Sequence, residues 1–99
     1  LFKRWLIDKG TLAKVASDNA SRLKRLDNAL LSSNINSSID DEYRHDNCKK
    51  ILTMFSNNGE NAIMKHYNLS SLPIGHACIH SYKLALVKYI DFKKEYPTG

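Results

Sequence analysis

Leu12, Ala16, Asn19, Leu23, Leu26 and Leu30 recur at steps of three and four, the spacing that stacks side chains on one face of an α-helix. The stripe predicts a long second helix with a single amide inside an otherwise apolar face. Before it, Leu1, Phe2, Trp5 and Leu6 fall at helical spacing and Gly10 supplies a stop, so a short first helix is expected with Gly10 and Thr11 as the joint. The tract LSSNINSS that follows Leu30 reads as a loop, because Ser and Asn side chains compete with helical backbone hydrogen bonds. Ser38 with Asp41 three residues on has the form of a capping box. It opens a third helix expected to run from about Ile39 to Phe55, burying Cys48, Ile51, Leu52 and Phe55 and ending at SNNG, where Asn and Gly accept a left-handed backbone. ENAIMKHY has room for two further turns. After Leu72, Pro73 and Gly75 a last long helix is expected from about His76 to Lys94, closed by Pro97, with Cys78, Ile79, Tyr82, Leu86, Tyr89 and Ile90 on its apolar arc. Strand signals are almost lacking, so the expected fold class is all-α, a compact bundle of four main helices.

Ninety-nine residues make one small domain, too thin in the core to hold a cofactor fold and a substrate site together. No apolar run nears the roughly 20 residues that span a bilayer, and the amino end shows no basic patch followed by an apolar signal-peptide stretch. A cytoplasmic protein without membrane contact is the expectation. The chain starts at Leu1 and stops at YPTG, which reads as a piece of a longer polypeptide.

Charge sharpens the picture through its distribution. Of the formal net +5, residues 1–30 are basic through Lys3, Arg4, Lys9, Lys14, Arg22, Lys24 and Arg25. Residues 31–60 are acidic through Asp40, Asp41, Glu42, Asp46 and Glu60, and residues 61–99 are basic again. Basic ends around an acidic middle suit a polyanion held by the first and last parts of the chain, although many ordinary small domains are as basic. On a helical wheel of about 100° per residue, turning the leucines of the second helix inward places Lys14, Ser17, Ser21, Lys24, Arg25 and Asn28 outward. Cations to neutralise charge, with hydroxyls and amides to bond oxygen, are the groups that contact a phosphate backbone. Any surface helix is polar outside, so this pattern alone is unspecific. His76, His80, Lys83 and Lys88 stand opposite the apolar arc of the last helix.

The run from Gly10 through Lys14, Val15, Asn19, Leu23 and Leu26 resembles the "G-x-S-x-x-T-x-x-x-Y-x-x-x-L-x-x-F" opening of the core-binding domain of phage integrases and other tyrosine recombinases. SYKLALVKYIDF is similar to that domain's last helix, "ALR-x-F-Y-x-F" after a small residue, with Ala85, Leu86, Lys88, Tyr89, Ile90 and Phe92 in corresponding places, and FKRWL resembles its opening helix. Val15, Asn19 and Leu26 stand where Thr, Tyr and Phe are usual, and the Asn-rich middle does not match. SRLKRL is also close to wording at the front of some restriction and mobile-element proteins. The resemblance implies a four- to five-helix bundle of the SAM-like integrase N-terminal type that clamps double-stranded DNA. It implies a separate catalytic domain downstream in the same chain and room for assembly of several copies on DNA. The contacts it implies lie on the second and last helices: Lys14, Ser17, Ser21, Lys24, Arg25, His80, Lys83 and Lys88. The Arg pair and nucleophilic Tyr of such enzymes have no counterpart among these residues, so this piece is expected to bind without catalysing and without a cofactor.

Other constellations give less. His45 and Cys48 with His76, Cys78 and His80 are zinc-ligating residue types, but Cys78 lies well around the helix from both neighbouring imidazoles, so no metal site is expected. Cys48 and Cys78 could pair by count alone; reduced thiols suit a cytoplasmic setting. NAS, NSS and NLS match the glycosylation triplet as accidents of an Asn- and Ser-rich chain. The rival to a DNA module is a protein-interaction bundle, with the basic faces merely solvated and an apolar seam around Trp5, Phe92 and Tyr96 that docks a partner.

Overall fold

The computed structural model describes residues 2–33, 36–67, 72 and 78–96, and these are all-α. The elements are α1 (Phe2–Asp8), α2 (Ala13–Leu31), α3 (Ile39–Asp46), α4 (Lys49–Thr53), a 3-10 turn (Ser56–Gly59), α5 (Ala62–Tyr67) and α6 (Ile79–Glu95). The expected start of the last helix at His76, with Pro73, Gly75 and Pro97, lies outside the described residues.

α1 ends as Gly10 requires. Its φ of +98° is reached freely without a Cβ, and Gly10 N–H donates to Ile7 O while Thr11 N–H donates to Leu6 O, both at 3.0 Å. This pair of bonds is the Schellman closure. The chain then reverses into α2, which begins at Ala13 rather than at Leu12. Leu12 sits outside the helix at 75% exposure, because the first residue of the stripe precedes the turn that docks on the core.

α2 and α6 form the spine, packed antiparallel. At one end Ala16 of α2 meets Phe92 of α6 together with Phe2 and Leu6 of α1. At the other, Leu26, Ala29 and Leu30 lie with Ile79, Tyr82 and Leu86, and this larger cluster takes in Ile39, Cys48, Ile51, Met54, Phe55 and Met64. Leu23 and Tyr89 touch both clusters. Asn19, the amide in the stripe, is buried with its neighbours.

The capping box forms: Asp41 N–H donates to Ser38 Oγ at 3.0 Å and Ser38 N–H to Asp41 Oδ2 at 3.3 Å. Asp27 of α2 reaches across to accept from Ile39 N–H at 2.8 Å, so the start of α3 is tied to the spine. The single helix expected from Ile39 to Phe55 is instead two. Asn47 and Cys48 both adopt positive φ, 59° and 65°, and end α3 before α4 begins. Asn tolerates this conformation better than most residues, and the break turns Cys48, Ile51, Met54 and Phe55 together into the core. The apolar spacing runs straight through the break, so periodicity could not reveal it. Cys78, placed on the apolar arc of the last helix, is exposed just before α6 starts.

Candidate nucleic-acid interface

α2 presents the outward arc expected of it. Lys14, Ser21, Lys24, Arg25 and Asn28 are exposed and Ser17 is half-buried, while Ala16, Asn19, Leu26, Ala29 and Leu30 face inward. From Lys14 to Asn28 the arc is about 21 Å long at 1.5 Å per residue.

The cations on this arc are weakly engaged. Lys14 Nζ lies 3.7 Å from Asp18 Oδ2, in an i,i+4 pair whose lysine is 87% exposed; such pairs hold little energy in water and exchange readily for another anion. Arg25 Nη1 donates to Tyr82 Oη at 3.0 Å. The phenol orients the guanidinium without neutralising it, and because Tyr82 is buried on α6 the contact couples the arc to the second half of the spine. Lys24 makes no ion pair among the described residues. It stands at the mouth of an open cavity of about 380 Å³ together with Lys3, Asp27 and Asp40, over Phe2, Ala20, Leu23, Ile39 and Tyr89. Lys3 was not among the expected contacts. Only the docking of α1 on α2 brings it beside Lys24, and nothing in the local sequence announces that.

The α6 residues are arranged less simply. His80 and Lys83 are exposed and Lys88 is half-buried, but the two lysines are five positions apart, about 140° around the axis. They therefore edge opposite sides of the exposed face. Between them stand Leu84, 58% exposed, and Val87, 37% exposed, with the exposed His80 and Asp91 about one turn to either side in the same arc, so this face is mixed rather than purely cationic. Lys93, which contributes to the basic balance of the last segment, is withdrawn from the surface. It is 4% exposed, with Nζ 3.8 Å from Asp40 Oδ1 and 5.9 Å from the centre of the Tyr43 ring.

Asp40 also accepts a 2.5 Å hydrogen bond from Tyr89 Oη. Burial, reinforced by Asp40, pushes the Tyr89 hydroxyl well above the ordinary phenol range, so it stays a donor. Asp40 of the acidic middle is thus consumed in binding α3 to α6, and it lines the Lys24 cavity together with Asp27 of α2.

Burial raises the Cys48 thiol to about 12, with Asp46, Glu42 and Asp40 adding to the effect, and Cys48 Sγ donates to Ile39 O at 3.7 Å. A thiol this reluctant to ionise is a poor metal ligand or nucleophile. Cys48 and Cys78 are both free, one buried and one exposed. No three His, Cys, Asp or Glu side chains gather as a metal site among the described residues, and His76 of the zinc reading lies outside them. No helix among these residues is long and apolar enough to cross a membrane.

Trp5, Phe92 and Tyr96, the seam of the rival reading, do come together: the Trp5 and Phe92 ring centres are 5.7 Å apart and those of Phe92 and Tyr96 5.3 Å. No family model, curated protein or solved structure matches this chain.

Proposed function

We propose that this chain is a non-catalytic DNA-binding module of an integrase- or recombinase-like protein, or of a related restriction-type protein, and that it lies against the phosphate backbone of duplex DNA. One observation supports this above the others: the outward arc of α2 carries Lys14, Lys24 and Arg25 among Ser17, Ser21 and Asn28, and among the described residues no acid outside the helix forms an ion pair with these cations. Its length of about 21 Å matches an axial rise of roughly six base pairs at 3.4 Å each. Arg25, held by Tyr82, is pre-oriented. His80, Lys83 and Lys88 are flanking contacts in this reading, and the reacting groups belong to another part of the parent protein.

The test is a titration of labelled duplex at several salt concentrations. Affinity is expected to fall steeply with salt, and replacing Lys24 and Arg25 together by Ala is expected to weaken binding to unrelated sequences alike and to reduce the log–log salt slope by about two. A duplex affinity that is flat in salt and insensitive to this double variant removes the proposal.

A second reading has its own observation. Leu84 and Val87 are exposed between Lys83 and Lys88, and the exposed Asp91 shares their arc of α6; a phosphate-binding surface has no use for these groups, and this favours α6 as the face that meets a protein. Replacing Leu84 and Val87 by Ser distinguishes the readings: duplex binding is kept if α2 carries it.

A further inference from the structure

The aromatic end of the molecule forms a site separate from the α2 arc. Trp5, Phe92 and Tyr96, with Arg4 and Asp8, line an open cavity of about 250 Å³. Phe92 is buried and forms the floor. Tyr96 is 54% exposed, so its ring is open to a ligand. The Trp5 ring is inclined at 65° to Phe92. The indole cannot swing away easily, because Trp5 Nε1 donates to Glu95 Oε2 at 2.9 Å. Its π surface already attracts a cation: Lys9 Nζ lies 5.7 Å from the ring centre, held there by Glu95 at 3.2 Å.

Three aromatic rings beside a carboxylate offer what a quaternary ammonium needs. Such a cation donates no hydrogen bonds and sheds water cheaply, and ring quadrupoles with one nearby negative charge replace its hydration. Asp8 supplies that charge. Arg4 stands at the same rim with Nε 3.3 Å from Asp8 Oδ1, both side chains largely exposed, so the pair is weak and adjustable. A bare cation would be repelled by the guanidinium. A cation that carries its own anion a short distance away would be matched by it, because guanidinium groups bind phosphate through paired N–H donors.

We propose that this cavity binds the phosphocholine group, with the trimethylammonium against Trp5, Phe92, Tyr96 and Asp8 and the phosphate on Arg4. Trp5 is the single tryptophan of the chain beside five tyrosines, so fluorescence excited selectively at the indole reports on Trp5 alone. The experiment titrates the protein with phosphocholine, choline chloride and sodium phosphate at constant ionic strength. Phosphocholine is expected to give a saturable change with a dissociation constant on the order of 1 mM, choline a response at least about fivefold weaker, and phosphate none. Arg4→Ala is expected to lower phosphocholine affinity to that of choline without weakening choline. Tyr96→Ala, at an exposed position and with folding checked by circular dichroism, is expected to weaken both. No saturable change with phosphocholine, an equal response to sodium phosphate, or choline binding tighter than phosphocholine would overturn the proposal.

Co-sedimentation with phosphatidylcholine vesicles distinguishes a lipid headgroup from a free ester. These vesicles carry no net charge, so the protein's basic balance does not bring it down. Sedimentation lost in Tyr96→Ala identifies the lipid as the source, and free phosphocholine binding without sedimentation identifies the soluble ester. Sedimentation that Tyr96→Ala leaves unchanged contradicts a role for this cavity on membranes.

Discussion

Burial holds the protons of Cys48 and Tyr89 more tightly in the folded protein than in the unfolded chain, and that difference lowers stability at alkaline pH. Both are acids whose folded values are raised, Cys48 from 9.0 to about 12. Above pH 9 the unfolded chain therefore loses protons that the folded protein keeps, and the unfolded state gains. Stability is expected to fall progressively from about pH 9, and Cys48→Ala should make the first part of that fall shallower, as read by denaturant unfolding at pH 8, 9 and 10. An unchanged slope would show that burial does not hold the thiol. Asp41 works in the opposite direction. Its carboxyl is lowered from 3.8 chiefly by hydrogen bonds with Ser38, so its contribution is present above pH 3.8 and is lost as pH falls through the depressed value. In Ser38→Ala the Asp41 value should rise, visible in a carboxyl NMR titration. Thiol labelling of the native protein should modify Cys78 well before Cys48, and both together in denaturant; equal native rates would contradict the burial of Cys48.

Elements in this chain are set by where the backbone can turn as much as by apolar spacing. Nothing lies within 4 Å of a Cβ placed on Gly10, so Gly10→Ala meets no steric neighbour and its cost, about 1 kcal/mol, comes from the positive φ alone. Asn47→Val should cost more, since a β-branched residue in the left-handed region is a greater strain, and its expected effect is a loosened joint between α3 and α4. Thermal unfolding of the two variants checks the order. The Gly10 stop and the Ser38 box were legible because each rests on a local rule tied to one or two residue types. The α3–α4 break was not, because Cys48, Ile51, Leu52 and Phe55 keep helical spacing across it while the Asn47 and Cys48 backbones reverse. The same limit applied to function. The outward arc of α2 could be drawn from a wheel, since all its residues share one helix. The neighbourhood of Lys3 and Lys24, the withdrawal of Lys93 and the exposed Leu84 and Val87 depend on how helices dock, which spacing within one helix does not encode.

At the scale of the whole molecule, α2 and α6 bury one side of each other and leave two unlike surfaces. Leu26→Ala, which empties a fully buried site in the larger cluster, is expected to cost about 2–5 kcal/mol, a large share of the stability of a small domain, and to dull every surface function together. Changes at the exposed Lys14 and Lys24 should leave stability alone, whereas Arg25→Ala, which removes the donor to Tyr82 Oη, is expected to cost about 1 kcal/mol. On α6, Leu84 and Val87 stand between Lys83 and Lys88, and the Arg25–Tyr82 hydrogen bond links this helix to α2. The most direct test is an NMR titration of labelled protein with duplex DNA at low salt. Amide and side-chain shifts concentrated between Lys14 and Asn28, and reversed by added salt, are the expected result. Shifts confined to Leu84 and Val87 or to the Trp5–Tyr96 end, or the absence of any, would contradict the account.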